Sequence, residues 1–163
     1  MAQISKLVRK KLGEVLVEEG LLRDEQVQEA LKRQRATGEF FGESLVALTY
    51  CSEMDIARTI VRQFGLPYID AAKYRIPREV LDAVPADLMW QNQFIVLDKI
   101  GKAMLVAVSG ILPGEVFERI ERISGSQIFL YVSTVSQVGE ALKKHRPMNG
   151  KPAAPAPAPE KKK

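Results

Sequence analysis

Lys6, Arg9, Lys10 and Lys11 crowd the start of the chain with no acid among its first eleven residues. Such a cluster can attract phosphates or anionic lipid, and it also suits the solvated face of a helix. Little else is arranged for chemistry. Cys51 has no second cysteine to pair with, and with His145 it is too little for a zinc set. His145 stands beside the C-terminal tail, away from any nucleophile in sequence, and reads as a solvated helix-end histidine. No Gly-x-x-x-x-Gly-Lys-Ser/Thr phosphate loop occurs, since Gly101-Lys102 is followed by Ala103. The expectation is a protein that is not an enzyme, with no catalytic residues, no metal and no cofactor.

The elements that must position the remaining candidates follow from periodicity. Leu12, Val15 and Leu16, then Val27, Ala30 and Leu31, then Ile56, Ile60 and Val61 recur at helical spacing. Gly20 ends the first helix and Ser52 caps one beginning near Glu53. Past Gly65 the prolines Pro67, Pro77 and Pro85 mark a connecting region, with Pro77 opening a helix that runs through Val84. Phe94–Ile100 and Ala103–Val108 are β-prone runs joined as a hairpin by Gly101-Lys102, and residues 127–133 make a third strand. Between them Val116, Phe117 and Ile120 give a helical face closed by Gly125. Thr134 with Gln137 forms a capping box for a last helix through Lys144.

A shift of 29 residues lays 11–34 over 40–63, with Gly13/Gly42, Glu14/Glu43, Leu16/Leu45, Val17/Val46, Arg33/Arg62 and Gln34/Gln63 identical. Two copies of a helix-turn-helix unit can bury against each other the apolar faces that neither could bury alone. The expected fold class is α+β: a helical tandem repeat over 1–65, packed with a small C-terminal α/β subdomain over 66–146 containing about three strands. Pro, Ala and Lys over 147–163 read as a disordered tail. At 46% hydrophobic and 27% charged residues the chain has a globular balance. Residues 146–163 carry the whole formal charge of +4, so the body is neutral, which argues against a nucleic-acid partner. No apolar run reaches the ~18 residues of a membrane helix, and the start lacks a signal peptide. A cytoplasmic protein without direct membrane insertion is expected.

In order and spacing the repeat resembles the MshEN pattern, found in the N-terminal domain of type II secretion and type IV pilus ATPases. Lys11-Leu12-Gly13, Leu16-Val17, Gly20-Leu21-Leu22, Val27, Leu31 and Gln34 carry it, in two 24-residue copies with 35–39 as a five-residue spacer. The likeness continues through Leu66-Pro67-Tyr68-Ile69-Asp70, Ile76-Pro77, Val84-Pro85, the strand Leu105-Val106-Ala107-Val108, and Thr134. It reads as such a domain standing alone, without the ATPase motor.

The resemblance implies docking between a secretion or pilus motor and its protein partners, recruitment to the inner membrane by a partner, and cyclic-di-GMP as ligand. The implied ligand residues are Arg9, Lys11, Leu12, Gly13, Gly20, Gln34, Phe40, Gly42 and Gln63. Backbone N–H groups near the glycines would approach phosphate, cations would pair with phosphate or stack on guanine, and glutamines would reach a base edge. Leu12, Leu45 and Val46 also suit core positions. Lys11 stands where the pattern has arginine and lacks its planar fork, with Arg9 or Lys10 as compensating cations. In the second copy Phe40-Phe41 replace the basic-leucine opening, Thr49 the inner glycine and Tyr50-Cys51 the aliphatic pair. Phe40 and Phe41 suit a stacking platform or a core or partner contact. A protein-binding adaptor of a secretion, pilus or gliding machine that has lost nucleotide binding is the alternative function.

Overall fold

The computed structural model describes residues 11–146. Arg9, the cations before it and the 147–163 tail lie outside the described residues. Helical spacing becomes four short helices, α1 (Leu12–Glu18), α2 (Asp24–Thr37), α3 (Phe41–Ala47) and α4 (Glu53–Phe64). Val15, Leu16, Ala30, Leu45, Ile56, Ile60 and Phe64 are their buried positions.

The 29-residue repeat is conformational as well as sequential. α1 and α3 begin and end at equivalent residues, and α2 and α4 begin at equivalent ones. Glu14 accepts from the Lys11 N–H at 3.2 Å and Glu43 from the Phe40 N–H at 2.9 Å, satisfying one orphan donor at each helix start. After α1 the N–H groups of Gly20 and Leu21 return to Val17 and Leu16; after α3 those of Thr49 and Tyr50 return to Val46 and Leu45. This turn needs a left-handed residue. Gly20 supplies it at φ 80°, and Thr49 is held there at φ 59° although a β-branched residue disfavours it. The bonds from the Thr49 and Tyr50 N–H groups therefore hold a backbone that the Thr49 side chain opposes. Ser52 caps α4 as expected, its Oγ accepting from the Asp55 N–H at 3.0 Å.

The connecting region is more ordered than the prolines suggested. It holds a 3-10 turn at Ala71–Lys73 and two helices, α5 (Arg78–Leu81) and α6 (Ala86–Asn92), the second unforeseen. Pro77 and Pro85 sit at the N-cap of each, with φ near −60°, so α5 stops short of Val84 and Pro85 starts a new helix rather than a loop. Both helices pack on β1.

The sheet has the order β1 (Phe94–Ile100), β2 (Ala103–Val108), β3 (Gln127–Val132). β1 and β2 form the expected hairpin, turning at Gly101 with φ 63°. β3 lies parallel to β2, from Ala103 opposite Gln127 to Val108 opposite Val132, so a crossover is required, and α7 (Gly114–Ser124) provides it. α8 (Val135–His145) follows the predicted Thr134–Gln137 capping box, with both reciprocal bonds made, at 3.2 and 2.9 Å.

Buried Ser133 ties the linker to the strand ends. Its Oγ accepts from the Ala71 N–H at 3.2 Å and donates to the Ile69 carbonyl. Beside it, Val132 exchanges backbone bonds with Pro67 and Ile69 at 2.8 and 2.9 Å. The buried apolar residues of the repeat and of the sheet belong to one continuous cluster.

His145 departs from its expected exposure. It is half-buried at the end of α8, with Nε2 enclosed and without a hydrogen-bond partner among the described residues. Burial first, and then the Lys144 charge, push its pKa down, against a hydrogen bond to the Tyr74 backbone that pulls it up. The same end is fastened by the Trp90 indole donating to the Arg146 carbonyl at 2.7 Å and by Arg146 with Asp82 at 3.3 Å.

Two tests follow from this architecture. Thr49→Gly should raise unfolding free energy by about 1 kcal/mol and Gly20→Thr should lower it by a similar amount, read from urea denaturation. His145 is depressed in the fold, so the unfolded chain binds its proton first as pH falls below the ordinary value of 6.5. The stability that neutral His145 allows is present above that value and lost below it. Thermal midpoints at pH ~7.5 and ~5.5 should fall between the two for the native chain and fall less for His145→Gln.

Candidate ligand and docking site

The two copies pair crosswise. α1, from the first copy, packs on α4 from the second, and α2 packs on α3. Gly13 faces α2 and α3 rather than α4: a Cβ there would lie 3.1 Å from Val27 Cγ1 and 3.4 Å from the Phe41 ring. Gly42 faces the other half of the chain, where a Cβ would meet Val135 Cγ2 at 3.2 Å at the start of α8. Both motif glycines are buried under side chains of the protein itself. Their observed part is close packing. Leu12 reaches the turn after β2, its Cδ2 3.8 Å from where a Gly110 Cβ would stand. Leu45 is core, while Val46, 37% exposed, is not.

The remaining candidates divide between the ends of α1. Lys11 and Phe40 occupy the equivalent N-cap positions of α1 and α3. The Lys11 Nζ is buried and has no hydrogen-bond partner among the described residues, an arrangement that is costly for an ammonium. Gly20, at the other end, is exposed with open space where a side chain would go. Gln63 is brought to that end, donating from Nε2 to Glu19, whose other oxygen accepts from Arg62 at 2.7 Å. Hydrogen bonds from Arg62 and then Gln63 hold the Glu19 carboxyl below the usual range. Gln34, the matching glutamine, makes no side-chain hydrogen bond among the described residues.

The duplicated arginines are both structural. Arg33 grips Glu39 of the spacer with two bonds, at 3.0 and 2.9 Å, and Ser44 of α3 adds a third at 3.2 Å. The Arg33 guanidinium lowers the Glu39 carboxyl and is itself raised. Arg62 with Glu19 fastens the second copy to the first. Cys51 takes no part: burial, with Asp55 adding to it, pushes its thiol up to about 11, which keeps it protonated and a poor nucleophile.

Sequence reasoning passed over a groove of about 400 Å³ among the described residues, lined by Met54, Arg58, Val61, Arg62 and Tyr68. The signal was present in Met54, Arg58, Val61 and Arg62, which share one side of a helix by spacing. Tyr68 is fixed there by its hydroxyl, which accepts from Gln137 Nε2 at 2.6 Å.

A family model described as the MshEN domain matches residues 64–151, beginning where the repeat ends. The type IV pilus assembly ATPase PilB of Thermus thermophilus is 35% identical over 151 residues, which is 91% of this chain and 17% of that protein. PilB of Myxococcus xanthus is 23% identical over 83% of the chain and 24% of its own length. The chain thus spans under a quarter of the length of these relatives. Among solved structures, MshE with cyclic-di-GMP aligns at TM-score 0.58 and 24% identity, covering 83% of this chain and 99% of that one. The N-terminal domain of XpsE aligns at 0.61 and 17%, covering 84% and 94%. Both share the α+β fold.

If the motif glycines serve packing, enlarging them must disturb the fold itself. Gly42→Leu should lower unfolding free energy by about 1–3 kcal/mol through overpacking against Val135, measured by thermal or urea unfolding without any ligand present.

Proposed function

Because the chain belongs to the MshEN domain family, we propose that it is a non-enzymatic regulatory and docking module that binds cyclic-di-GMP across its two helical copies. The observation that carries the reading is Lys11. An ammonium enclosed without a partner among the described residues at the start of the first motif is suited to an anionic group, and a phosphodiester supplies one. Gln34, whose side chain is likewise without a hydrogen-bond partner among the described residues, offers an amide to a guanine edge. The preserved turn at Thr49 keeps the second copy in the shape of the first despite its changed residues. Ligand that touches both copies would stiffen the contact between them and so alter the surface they present to a protein of a secretion or pilus machine. Arg9, lying outside the described residues, is the second cation proposed for the site.

An adaptor that has lost the nucleotide is the second reading, and particular observations favour it. Gln63 is engaged by Glu19, Phe40 stands where the first copy has Lys11, and Gly42 is covered by Val135. On that account the fold is kept for docking alone.

Calorimetric titration of cyclic-di-GMP decides between them, with GTP as the control. Saturable binding in the micromolar range or tighter, weakened about tenfold or more by Lys11→Ala and by Gln34→Ala, is the expected result. Absence of heat at high ligand concentration would leave the adaptor.

A further inference from the structure

The two copies treat their matched glutamines differently, and the difference lies in one residue. Under the 29-residue shift Glu19 falls on Leu48, just as Gln34 falls on Gln63. The backbone makes the two positions equivalent: Glu19 closes α1 at φ −82° and ψ −3°, and Leu48 closes α3 at φ −83° and ψ 0°. Their contacts are not equivalent. Glu19 accepts from Gln63 Nε2 with one oxygen and from Arg62 at 2.7 Å with the other, so it engages the amide and the guanidinium of the second copy together. Leu48 has no such group to offer Gln34, whose side chain makes no hydrogen bond among the described residues. Arg33, the counterpart of Arg62, is instead held by Glu39 of the spacer, at 3.0 and 2.9 Å.

A carboxylate that accepts from an amide and a guanidinium makes the bonds that a phosphate oxygen or a guanine carbonyl would make in its place. Glu19 is held in its charged form, since the bonds from Arg62 and then Gln63 keep its carboxyl below the usual range. The contact is also open to competition. The Arg62 side chain is 63% exposed, and Gly20, next in the chain, is exposed with open space beside it. Ion pairs at such a surface are individually weak, so the contact can be surrendered at little cost to the fold. We infer that Glu19 is an internal competitor of the ligand: it occupies Gln63 and Arg62 of the second copy, repels an approaching phosphate, and so lowers the affinity of the site. The inference rests on the cyclic-di-GMP reading above, and it makes the engaged Gln63 a withheld ligand group rather than a lost one.

The test is calorimetric titration of cyclic-di-GMP into the native chain and into Glu19→Leu, which copies the residue type the equivalent backbone already carries at Leu48. Thermal midpoints confirm that each variant is folded. Glu19→Leu should tighten binding at least about fivefold, whereas Glu25→Gln, which removes an exposed acid of α2, should change it less than about twofold. Gln63→Ala added to Glu19→Leu should take back most of the gain, and should cost more there than in the native chain, a coupling that a general change of charge would not produce. Binding by Glu19→Leu with a silent native chain would support the inference in its strongest form. Native-like affinity in Glu19→Leu, an equal gain in Glu25→Gln, or a gain that survives Gln63→Ala undiminished would overturn the inference and leave the cyclic-di-GMP reading standing. Absence of heat from both the native chain and Glu19→Leu would overturn both.

Discussion

Without a side chain at residue 13, α1 lies close against Val27 of its own copy and the Phe41 ring of the other, so that one position touches both halves of the repeat. Seven-residue helices such as α1 and α3 are too short to be stable alone. Each hairpin of helices also leaves an apolar face that its own partner cannot cover. Crosswise pairing of α1 with α4 and α2 with α3 solves both problems at once, and Arg33–Glu39 and Arg62–Glu19 hold it from the rim.

The second motif glycine extends the same device to the rest of the molecule. At Gly42 the repeat comes against Val135, and nearby the Ser136 N–H donates to Glu53 of α4 at 2.9 Å, so the starts of α4 and α8 meet. Ser133 and the Pro67–Ile69 backbone bonds then fix the linker across the ends of the parallel strands. The groove beside Tyr68 is a by-product of this junction: the aromatic is held out at the surface because the linker is pinned behind it.

Much of this was legible in the residues. The 29-residue repeat, the Ser52 and Thr134 caps, the Gly101 hairpin and the α7 helix followed from local spacing and turn chemistry, which act over a few residues. α6 was not legible, because Pro85 reads equally as a breaker and as a helix start, and only packing on β1 decides it. The inward turn of His145 depends on Tyr74, seventy residues earlier in the chain, and no local signal announces it. Sequence order placed Gly13 and Gly42 correctly within the repeat. That Val27, Phe41 and Val135 pack close beside them is a matter of tertiary contact, which local sequence does not announce.

The central claim is that the repeat and the sheet share one core, so that an event at the helices is felt throughout. Native-state amide hydrogen exchange in low denaturant measures this directly. Buried Leu16 in α1, Ile60 in α4 and Val106 in β2 should exchange through the same global opening, with equal free energy and equal denaturant dependence. Opening of the helices at a free energy lower than that of β2 by more than about 2 kcal/mol would contradict it and make the repeat a separate body resting on the sheet.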